Sequence, residues 1–485
     1  MTQILLHDAT IITPDAPTGD LTAAPTPVVA VRVLYHHSLV LAGGRVTELG
    51  PSRDFEARRQ AGAFATVVPG TRRAIVPGLV NTHHHLYQSL TRCLPAAQNV
   101  PLFDWLRVLY THWRQVDYRA VHLAAQVSIA ELLLHGCTAT SDHFYLFPPQ
   151  SDVRLEAVLA AAAELGIRMH VCRGSMSLGQ SRGGLPPDDC VERDADVLAD
   201  CERVLDAYHD PAPYALRRID LAPCSPFNVT RELLRDTRAL ARARGVLLHT
   251  HLAETLDEQA YCLDRFGCRP VQYLADLDWL GPDVYLAHCV WLDDAELELL
   301  ARTRTAVSLC PTSNLRLGSG LPRLADLRAR GVRLGLGVDG SSSNDGGNLL
   351  AEAKQALLVG RMPPVLTQSS APWLSAAEAL WLATRGGAAC LHRAELGHLH
   401  PGAAADLAMF NLDDVALAGA AAHDPLAALV LCAAPRAERV YVAGRAVVQD
   451  GRIAALDERA LAAEFNALVA TRFAAAGRGG RGPAA

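Results

Sequence analysis

Lysine is almost absent from this chain of 485 residues. Lys354 is the single lysine, and every other basic residue is arginine. Chemistry that requires a positioned lysine, such as a Schiff base, a carbamylated metal bridge or a phosphate-binding P-loop, must therefore use Lys354 or be absent, and the P-loop pattern does not occur. The 51 acidic residues outnumber the 45 basic ones and give a formal charge of −6. This balance leaves no excess of positive charge, which argues against nucleic-acid and anionic-membrane partners.

Paired cysteine motifs and long apolar runs are missing as well. The 12 cysteines include no CxxC pair, so they are typical of buried thiols in a reducing cytoplasm. The first apolar run contains Asp8 and follows no basic segment, so no secretory signal is visible. No stretch of about 20 uncharged apolar residues could cross a bilayer. These absences predict a cytoplasmic protein with no membrane partner.

Short β-rich runs separated by Gly, Pro and Asp turns occupy both ends of the chain. They fill residues 1–72 and return over 396–460. We therefore predict a small β-sandwich domain formed from both termini. The residues after it, 461–485, are expected to form a C-terminal helix and a flexible tail that buries little.

Between these ends, over residues 73–395, short apolar strands alternate with segments that have helical apolar spacing. Strands are expected at 77–83, 137–143, 167–173, 218–225, 245–251, 284–288, 305–310 and 333–339. This alternation defines the α/β class. Eight strand–helix units in about 300 residues favour a TIM-like (β/α)8 barrel, although a doubly wound sheet would share the alternation.

Polar residues recur where the predicted strands end, which is where the active sites of such barrels lie. They are His83, His85, His143, Arg173, Ser225, His251, His288 and Asp339. His83 and His85 are two residues apart on a strand, so both side chains leave one face and can hold one cation. Imidazoles and a carboxylate around an open position are typical of a catalytic zinc-type site. Glu254 is expected beside that site without binding the ion, and His249 is interpreted as a core histidine.

Several longer motifs resemble the amidohydrolase superfamily, in its branch of aminohydrolases that act on purines, pterins and triazines. They are PGLVNTHHH, HLAE, the AHC around His288, GVDGSSSND and PGAAADLAMF. Within that branch the chain is most similar to the bacterial 8-oxoguanine deaminases, in NTHHHLYQSLTR, RGSMSLGQSRGGLPPDD, LAPCSPF, LHTHLAETLDE and CPTSNLRLGSG.

The resemblance implies one divalent metal ion, zinc or iron, held by His83, His85, His251 and Asp339. It also implies catalytic roles for Glu254, His288 and Asp339 around the attacking water. Asp339 would take the proton of that water, His288 would orient it, and Glu254 would protonate the substrate and then the leaving ammonia. Binuclear relatives need a carbamylated lysine at the end of the fourth strand, where this chain has APCSP. A second bridged metal is therefore not expected.

The expected reaction is the hydrolytic deamination of 8-oxoguanine to urate and ammonia. Isoxanthopterin and triazines such as hydroxyatrazine are alternative substrates, and a metal-free binding or assembly protein is the alternative from another class. A homo-oligomer is expected.

Three residues are candidate substrate contacts, and each has a structural alternative. Gln88 could donate to and accept from a heterocycle, or cap a helix. Arg173 could bind an exocyclic oxo group with paired N–H donors, or form an ion pair with a loop acid. Trp105 could pack over a flat ring, or only anchor its helix.

Overall fold

The computed structural model describes residues 3–17, 30–362, 373–432 and 435–473. Strands from both ends of the chain form one mixed sheet of nine strands. They are β1 (Gln3–Pro14), β2 (Val31–Ala42), β3 (Arg45–Pro51), β4 (Thr66–Pro69), β5 (Arg73–Pro77), β14 (Leu407–Asn411), β15 (Arg439–Val442), β16 (Arg445–Gln449) and β17 (Arg452–Ile453). The predicted β domain built from both termini is therefore confirmed, and its strands are hydrogen-bonded in the order β17-β16-β15-β14-β5-β1-β2-β3, with β4 on β1.

The junction between the two ends of the chain is the pair β5 and β14. These strands are antiparallel, and β5 also lies parallel to β1. The sheet thus extends to Pro77, beyond the boundary predicted after residue 72. The C-terminal helix begins at Glu458 rather than 461, because the Asp457 carboxylate accepts hydrogen bonds from the first free backbone N–H groups. The predicted flexible tail from 474 onward lies outside the described residues.

Eight parallel strands close into a barrel, which excludes the doubly wound sheet. They are β6 (Leu79–Asn81), β7 (Cys137–Phe144), β8 (Arg168–Ser175), β9 (Arg217–Pro223), β10 (Leu248–Leu252), β11 (Val284–His288), β12 (Ala306–Leu309) and β13 (Leu334–Leu336). Each overlaps a predicted strand. A separate buried cluster takes one mostly small residue from each of six strands: Val80, Ala139, Cys172, Ala222, Tyr285 and Ala306. Small side chains on the inner face leave room for the barrel to close.

Between residues 102 and 390 helices follow the strands of the barrel, and the other helices lie in the two terminal segments of the chain. The helices are α1 (Glu56–Gln60), α2 (Leu102–Trp113), α3 (Tyr118–Leu134), α4 (Glu156–Leu165), α5 (Asp194–Tyr208), α6 (Arg231–Arg244), α7 (Leu256–Phe266), α8 (Pro270–Asp276), α9 (Asp294–Thr303), α10 (Pro311–Arg316), α11 (Leu324–Ala329), α12 (Leu349–Val359), α13 (Ala376–Trp381), α14 (Gly387–Cys390), α15 (Ala420–His423), α16 (Pro425–Leu431) and α17 (Glu458–Arg472). Helix α6 shows local control of both ends: the Thr230 hydroxyl accepts from Leu233 N, and Gly245 ends the helix at φ 67°. Over the described ranges, every helix is too short or too polar to cross a bilayer.

A buried ion pair joins the barrel to the terminal sheet. Arg168 lies at the start of β8, and Asp406 immediately precedes β14. The guanidinium donates through Nε and Nη2 to the two carboxylate oxygens of Asp406, both at 2.9 Å. Neither side chain is more than 3% exposed. The pair fixes the sheet against the bottom of the barrel.

Candidate active site

Four predicted ligands from three parts of the chain converge at the carboxyl end of the barrel. The ligand nitrogens of His83, His85 and His251 all lie within 4.8 Å of one another. His85 Nε2 is 3.1 Å from His251 Nε2. The Asp339 Oδ1 atom lies 3.3 Å from Nε2 of both His83 and His85. The structure therefore brings together the set expected from the sequence.

The hydrogen bonds of two of these rings fix which nitrogen carries a proton. His85 Nδ1 donates to the His143 carbonyl at 2.7 Å, and His251 Nδ1 donates to the Cys224 carbonyl at 2.6 Å. A carbonyl only accepts, so Nε2 of each neutral ring presents its lone pair to the cluster. Burial, with the neighbouring imidazoles, lowers the pKa of His251 well below its ordinary value and keeps the ring neutral. His83 Nε2 is buried and has no hydrogen-bond partner in the described part of the chain. Converging lone pairs beside a carboxylate fit a divalent metal ion.

Asp339 is held as an anion by three hydrogen bonds. Oδ1 accepts from Gly340 N at 2.7 Å, and Oδ2 accepts from the hydroxyls of Ser313 at 2.6 Å and Ser343 at 3.3 Å. Burial by itself would raise the pKa of Asp339, but the neighbouring imidazoles, His83 first among them, lower it well below its usual range. Its φ of 59° is uncommon for a residue with a side chain. The surrounding hydrogen bonds hold the carboxylate in this orientation.

Glu254 and His288 lie next to the ligand cluster. Glu254 Oε2 is 3.6 Å from His288 Nε2, which is 3.9 Å from Asp339 Oδ2. Burial raises the pKa of Glu254, and the Asp339 charge adds to that effect. Burial alone would lower the pKa of His288, but the charges of Glu254 and Asp339 outweigh it and raise the value. His288 Nδ1 lies 2.9 Å from Asn314 Oδ1, an acceptor, so Nε2 faces the two carboxylates.

A cavity opens above this cluster between aromatic and polar walls. Gln88 and Trp105, both predicted substrate contacts, line it. Leu102, Leu106, Tyr145, Phe227 and Leu317 extend the largely apolar wall, and Ser225, Asn228, Glu254 and Ser343 extend the polar one. Gln88 lies in the short 3-10 helix Leu86–Thr91 that directly follows His85.

Sequence reasoning missed Asn228, a buried amide in this cavity. Its Nδ2 atom donates to Tyr110 Oη at 3.3 Å and to Cys224 Sγ at 3.2 Å. Its Oδ1 atom and the indole nitrogen of Trp105 are both buried, and neither has a hydrogen-bond partner within the described ranges. An unpaired buried acceptor and donor beside a cavity suit a polar ligand. Its position in the sequence could have indicated this role. Asn228 lies three residues beyond Ser225, in the loop that follows barrel strand β9.

Arg173 does not reach this cavity, and its predicted contact with substrate is not supported. The guanidinium donates to Asp200 Oδ2 and Glu192 Oε1, both at 2.6 Å, and lies 3.7 Å from the Phe147 ring centroid. The alternative ion pair with a loop acid is therefore the correct one. Side chains alternate along β8, and Arg173 shares the outward face with Met169 and Val171, which pack in the helix-facing core.

Fold and site together define a hydrolase built on a (β/α)8 barrel. Residues 74–447 match the model of the amidohydrolase family, and the chain belongs to this family. It is 45% identical over 436 residues to the 8-oxoguanine deaminase of Pseudomonas aeruginosa. This alignment covers 90% of this chain and 95% of that protein. An isoxanthopterin deaminase from an unknown prokaryotic organism is 35% identical over 458 residues, covering 89% of this chain and 95% of that protein. The structure matches the atrazine chlorohydrolase of Arthrobacter aurescens TC1 in complex with zinc, at 32% identity and a TM-score of 0.87, over 96% of this chain and 100% of that chain.

Proposed function

We propose that this chain deaminates an oxo-purine by hydrolysis, converting 8-oxoguanine and water into urate and ammonia. The observation that carries the proposal is the convergence of three imidazoles and Asp339 beside Glu254 and His288, at the base of a cavity with aromatic and amide walls. The 45% identity to an 8-oxoguanine deaminase supports this choice of substrate. We further propose a single metal ion, zinc or iron, a homo-oligomeric state and a cytoplasmic location.

His83, His85, His251 and Asp339 would hold the metal ion. A divalent ion at such a site acts as a Lewis acid and lowers the pKa of water toward roughly 7. Asp339 is the proton acceptor for the attacking water, because its carboxylate is anionic at neutral pH. His288 orients that water through Nε2, since Asn314 fixes the opposite nitrogen.

Glu254 is the general acid of the proposed reaction. Its raised pKa favours the protonated carboxyl group, and that proton passes first to the ring nitrogen beside the amine-bearing carbon. The water oxygen bonds to that carbon, and the exocyclic amine takes up the proton that Asp339 accepted from the water. The bond between the carbon and the amine then breaks and releases ammonia. The remaining hydroxyl proton returns to Glu254 as the oxo group forms, which restores the starting protonation state.

Three residues are proposed to bind the heterocycle. The Gln88 amide offers a donor and an acceptor at the edge of the cavity. Asn228 Oδ1 accepts from a ring N–H group, and Trp105 covers one wall and offers its indole N–H. A purine with oxo groups and protonated ring nitrogens supplies complementary partners to all three.

Isoxanthopterin is the second candidate substrate, because it has the same 2-amino-4-oxo edge on a wider ring. The 35% identity to an isoxanthopterin deaminase supports this alternative. The metal-free alternative is not favoured, since the chain keeps all four ligands and both proton carriers in one cluster.

Steady-state assays with zinc- and iron-loaded protein test the proposal. We expect the highest kcat/KM for 8-oxoguanine among 8-oxoguanine, isoxanthopterin, guanine and hydroxyatrazine, with one ammonia released for each urate formed. A higher kcat/KM for isoxanthopterin would replace the first substrate with the second. Failure on every oxo-bicycle by metal-loaded protein would refute the proposal.

A further inference from the structure

His249, a fully buried residue of β10, links a ligand of the cluster to the backbone of the next strand. Its Nε2 atom lies 2.8 Å from Nδ1 of His83. Its Nδ1 atom lies 2.6 Å from the carbonyl oxygen of Tyr285. The His249 ring also stacks on the Tyr285 ring, with centroids 4.1 Å apart and planes 14° from parallel. The position and orientation of His249 are thus fixed from two sides.

These two contacts determine which nitrogens carry protons. The Tyr285 carbonyl only accepts, so His249 Nδ1 carries a hydrogen. A second hydrogen on Nε2 would make His249 a buried cation, and none of the ion pairs among the described residues includes it. An unpaired buried charge is costly, so the ring is neutral and Nε2 accepts. His83 Nδ1 is therefore the donor, and His83 Nε2 keeps its lone pair facing Asp339 Oδ1 at 3.3 Å.

We propose that His249 is a positioning residue that holds His83 in the tautomer and orientation required to bind the metal ion. The inference rests on the metal site of the proposed function but not on the identity of the substrate. Partners of this kind orient metal-binding histidines and raise their basicity.

His83 differs from the other two imidazole ligands in a way that makes the role testable. His85 and His251 are anchored by the main-chain carbonyls of His143 and Cys224, which no side-chain substitution removes. His83 alone among these three is anchored through another side chain. A single substitution at position 249 therefore releases one ligand and leaves the other two anchored.

A second arrangement of the same atoms must be distinguished from this one. Ligand nitrogens of His83, His143 and His249 also lie within 4.8 Å of one another, which would allow His249 to bind a second ion. His143 Nε2 lies 2.8 Å from the Ala222 carbonyl, and His249 Nδ1 is likewise bonded to a carbonyl. An ion there would also require His83 Nδ1 as a ligand, whereas Nε2 is the nitrogen that faces Asp339. The two arrangements differ in the number of ions bound.

The experiment compares His249→Leu, which removes the acceptor, with His249→Gln, whose Oε1 atom retains one. The control is His112→Leu, a buried histidine on α2 that neither touches the cluster nor lines the cavity. Zinc affinity is measured without substrate, by competition with a chromophoric chelator, and the absorption spectrum of the cobalt-loaded protein reports ligand geometry. We expect His249→Leu to bind zinc about 10–100-fold more weakly and to change the cobalt spectrum. His249→Gln should recover most of the affinity, and the control should match the unsubstituted protein.

Circular dichroism and thermal unfolding establish that each variant is folded. If His249→Leu does not fold, His249→Asn takes its place, because its shorter amide cannot reach His83 and should weaken zinc binding in the same way. A folded Leu or Asn variant with unchanged zinc affinity and an unchanged cobalt spectrum would overturn the proposal. So would a stoichiometry of two zinc ions that falls to one in His249→Gln. Failure of the enzyme to deaminate 8-oxoguanine would leave all of these readouts intact.

Discussion

Glu254 and Asp339 are two buried carboxylates that lie 3.6 Å and 3.9 Å from the same imidazole nitrogen, yet the pKa of one is raised and that of the other is lowered. Burial dominates at Glu254. At Asp339 the influence of the neighbouring imidazoles, His83 first among them, outweighs burial. Environments that push two pKa values apart allow one group to act as an acid and the other as a base.

Replacing Glu254 with glutamine tests the acid role. Glu254→Gln keeps the size of the side chain but cannot deliver a proton, so kcat for 8-oxoguanine should fall about 10²–10⁴-fold. The zinc content should be unchanged, because Glu254 is not a ligand. Glu298→Gln, at an exposed position of α9, is the control. Near-normal turnover by fully metallated Glu254→Gln would contradict the assignment.

Asn228→Ala tests the proposed contact with the ring. The variant loses an acceptor that has no partner in the described part of the protein, so KM should rise by about 2–10-fold, the effect of one hydrogen bond. The change in kcat should be smaller. Steady-state kinetics with 8-oxoguanine measure both constants, with the exposed Asn466→Ala as control. An unchanged KM would remove Asn228 from the binding site.

At the scale of elements, the loop after β13 packs directly against the 3-10 helix that carries Gln88. A Cβ atom at Gly340 would lie 1.9 Å from Gln88 Oε1, whereas one at Gly346 would meet nothing closer than 3.9 Å. Gly340→Ala should therefore displace the Gln88 amide and raise KM, while Gly346→Ala in the same loop should not. Zinc content should stay constant in both. A Gly340→Ala variant with the KM of the unsubstituted protein would show that Gln88 does not bind substrate.

Glu352, a buried residue of α12, connects two elements that carry site residues. Its carboxylate accepts from Thr312 N on α10 at 3.2 Å and from Asn344 Nδ2 in the loop after β13 at 2.7 Å. Burial raises its pKa from 4.5 to about 7. The folded protein therefore holds this proton more tightly than the unfolded chain does. The resulting stability is complete below pH 4.5 and is lost as the pH rises through about 7.

The shift corresponds to roughly 3 kcal/mol of unfolding free energy across that window. We expect the thermal midpoint to fall between pH 5 and pH 8, and to fall less in Glu352→Gln, which stays neutral throughout. The difference between the two proteins gives the contribution of Glu352 to the pH dependence, because the other titrating groups are the same in both. Equal pH dependence in both would show that Glu352 is ionised over the whole range.

The elements were predictable from sequence because their signals are local. Each barrel strand is a short apolar run, and its carboxyl end carries the residue that the barrel places in the site, as at His251 and Asp339. Arg173 was placed wrongly because the side of the strand matters as well as its end. Met169 and Val171, four and two residues earlier, face the helices, and this alternation could have corrected the prediction. Glu352 left no signal, since its contact with Thr312 depends on the packing of α12 against α10.

At the scale of the whole molecule, the Arg168–Asp406 pair joins two regions that lie far apart in sequence. Asp406→Asn would leave the buried Arg168 guanidinium without its counter-charge, and the loss of one partner of such a pair costs about 3–5 kcal/mol. Asp413→Asn breaks the exposed Arg72–Asp413 pair and should lower stability much less, because water and salt screen that pair. Chemical denaturation at matched zinc content measures both. Equal effects would show that the buried pair contributes no more than the surface one.

The pairing of β5 with β14 also has a consequence for how the protein is made. A chain growing on the ribosome releases β5 early, but the strand that completes its edge begins only at Leu407. Until then the nascent chain exposes unsatisfied backbone groups along β5, and Arg168 lacks its partner Asp406. Because an exposed strand edge favours aggregation, we expect a product truncated before Leu407 to be prone to aggregate.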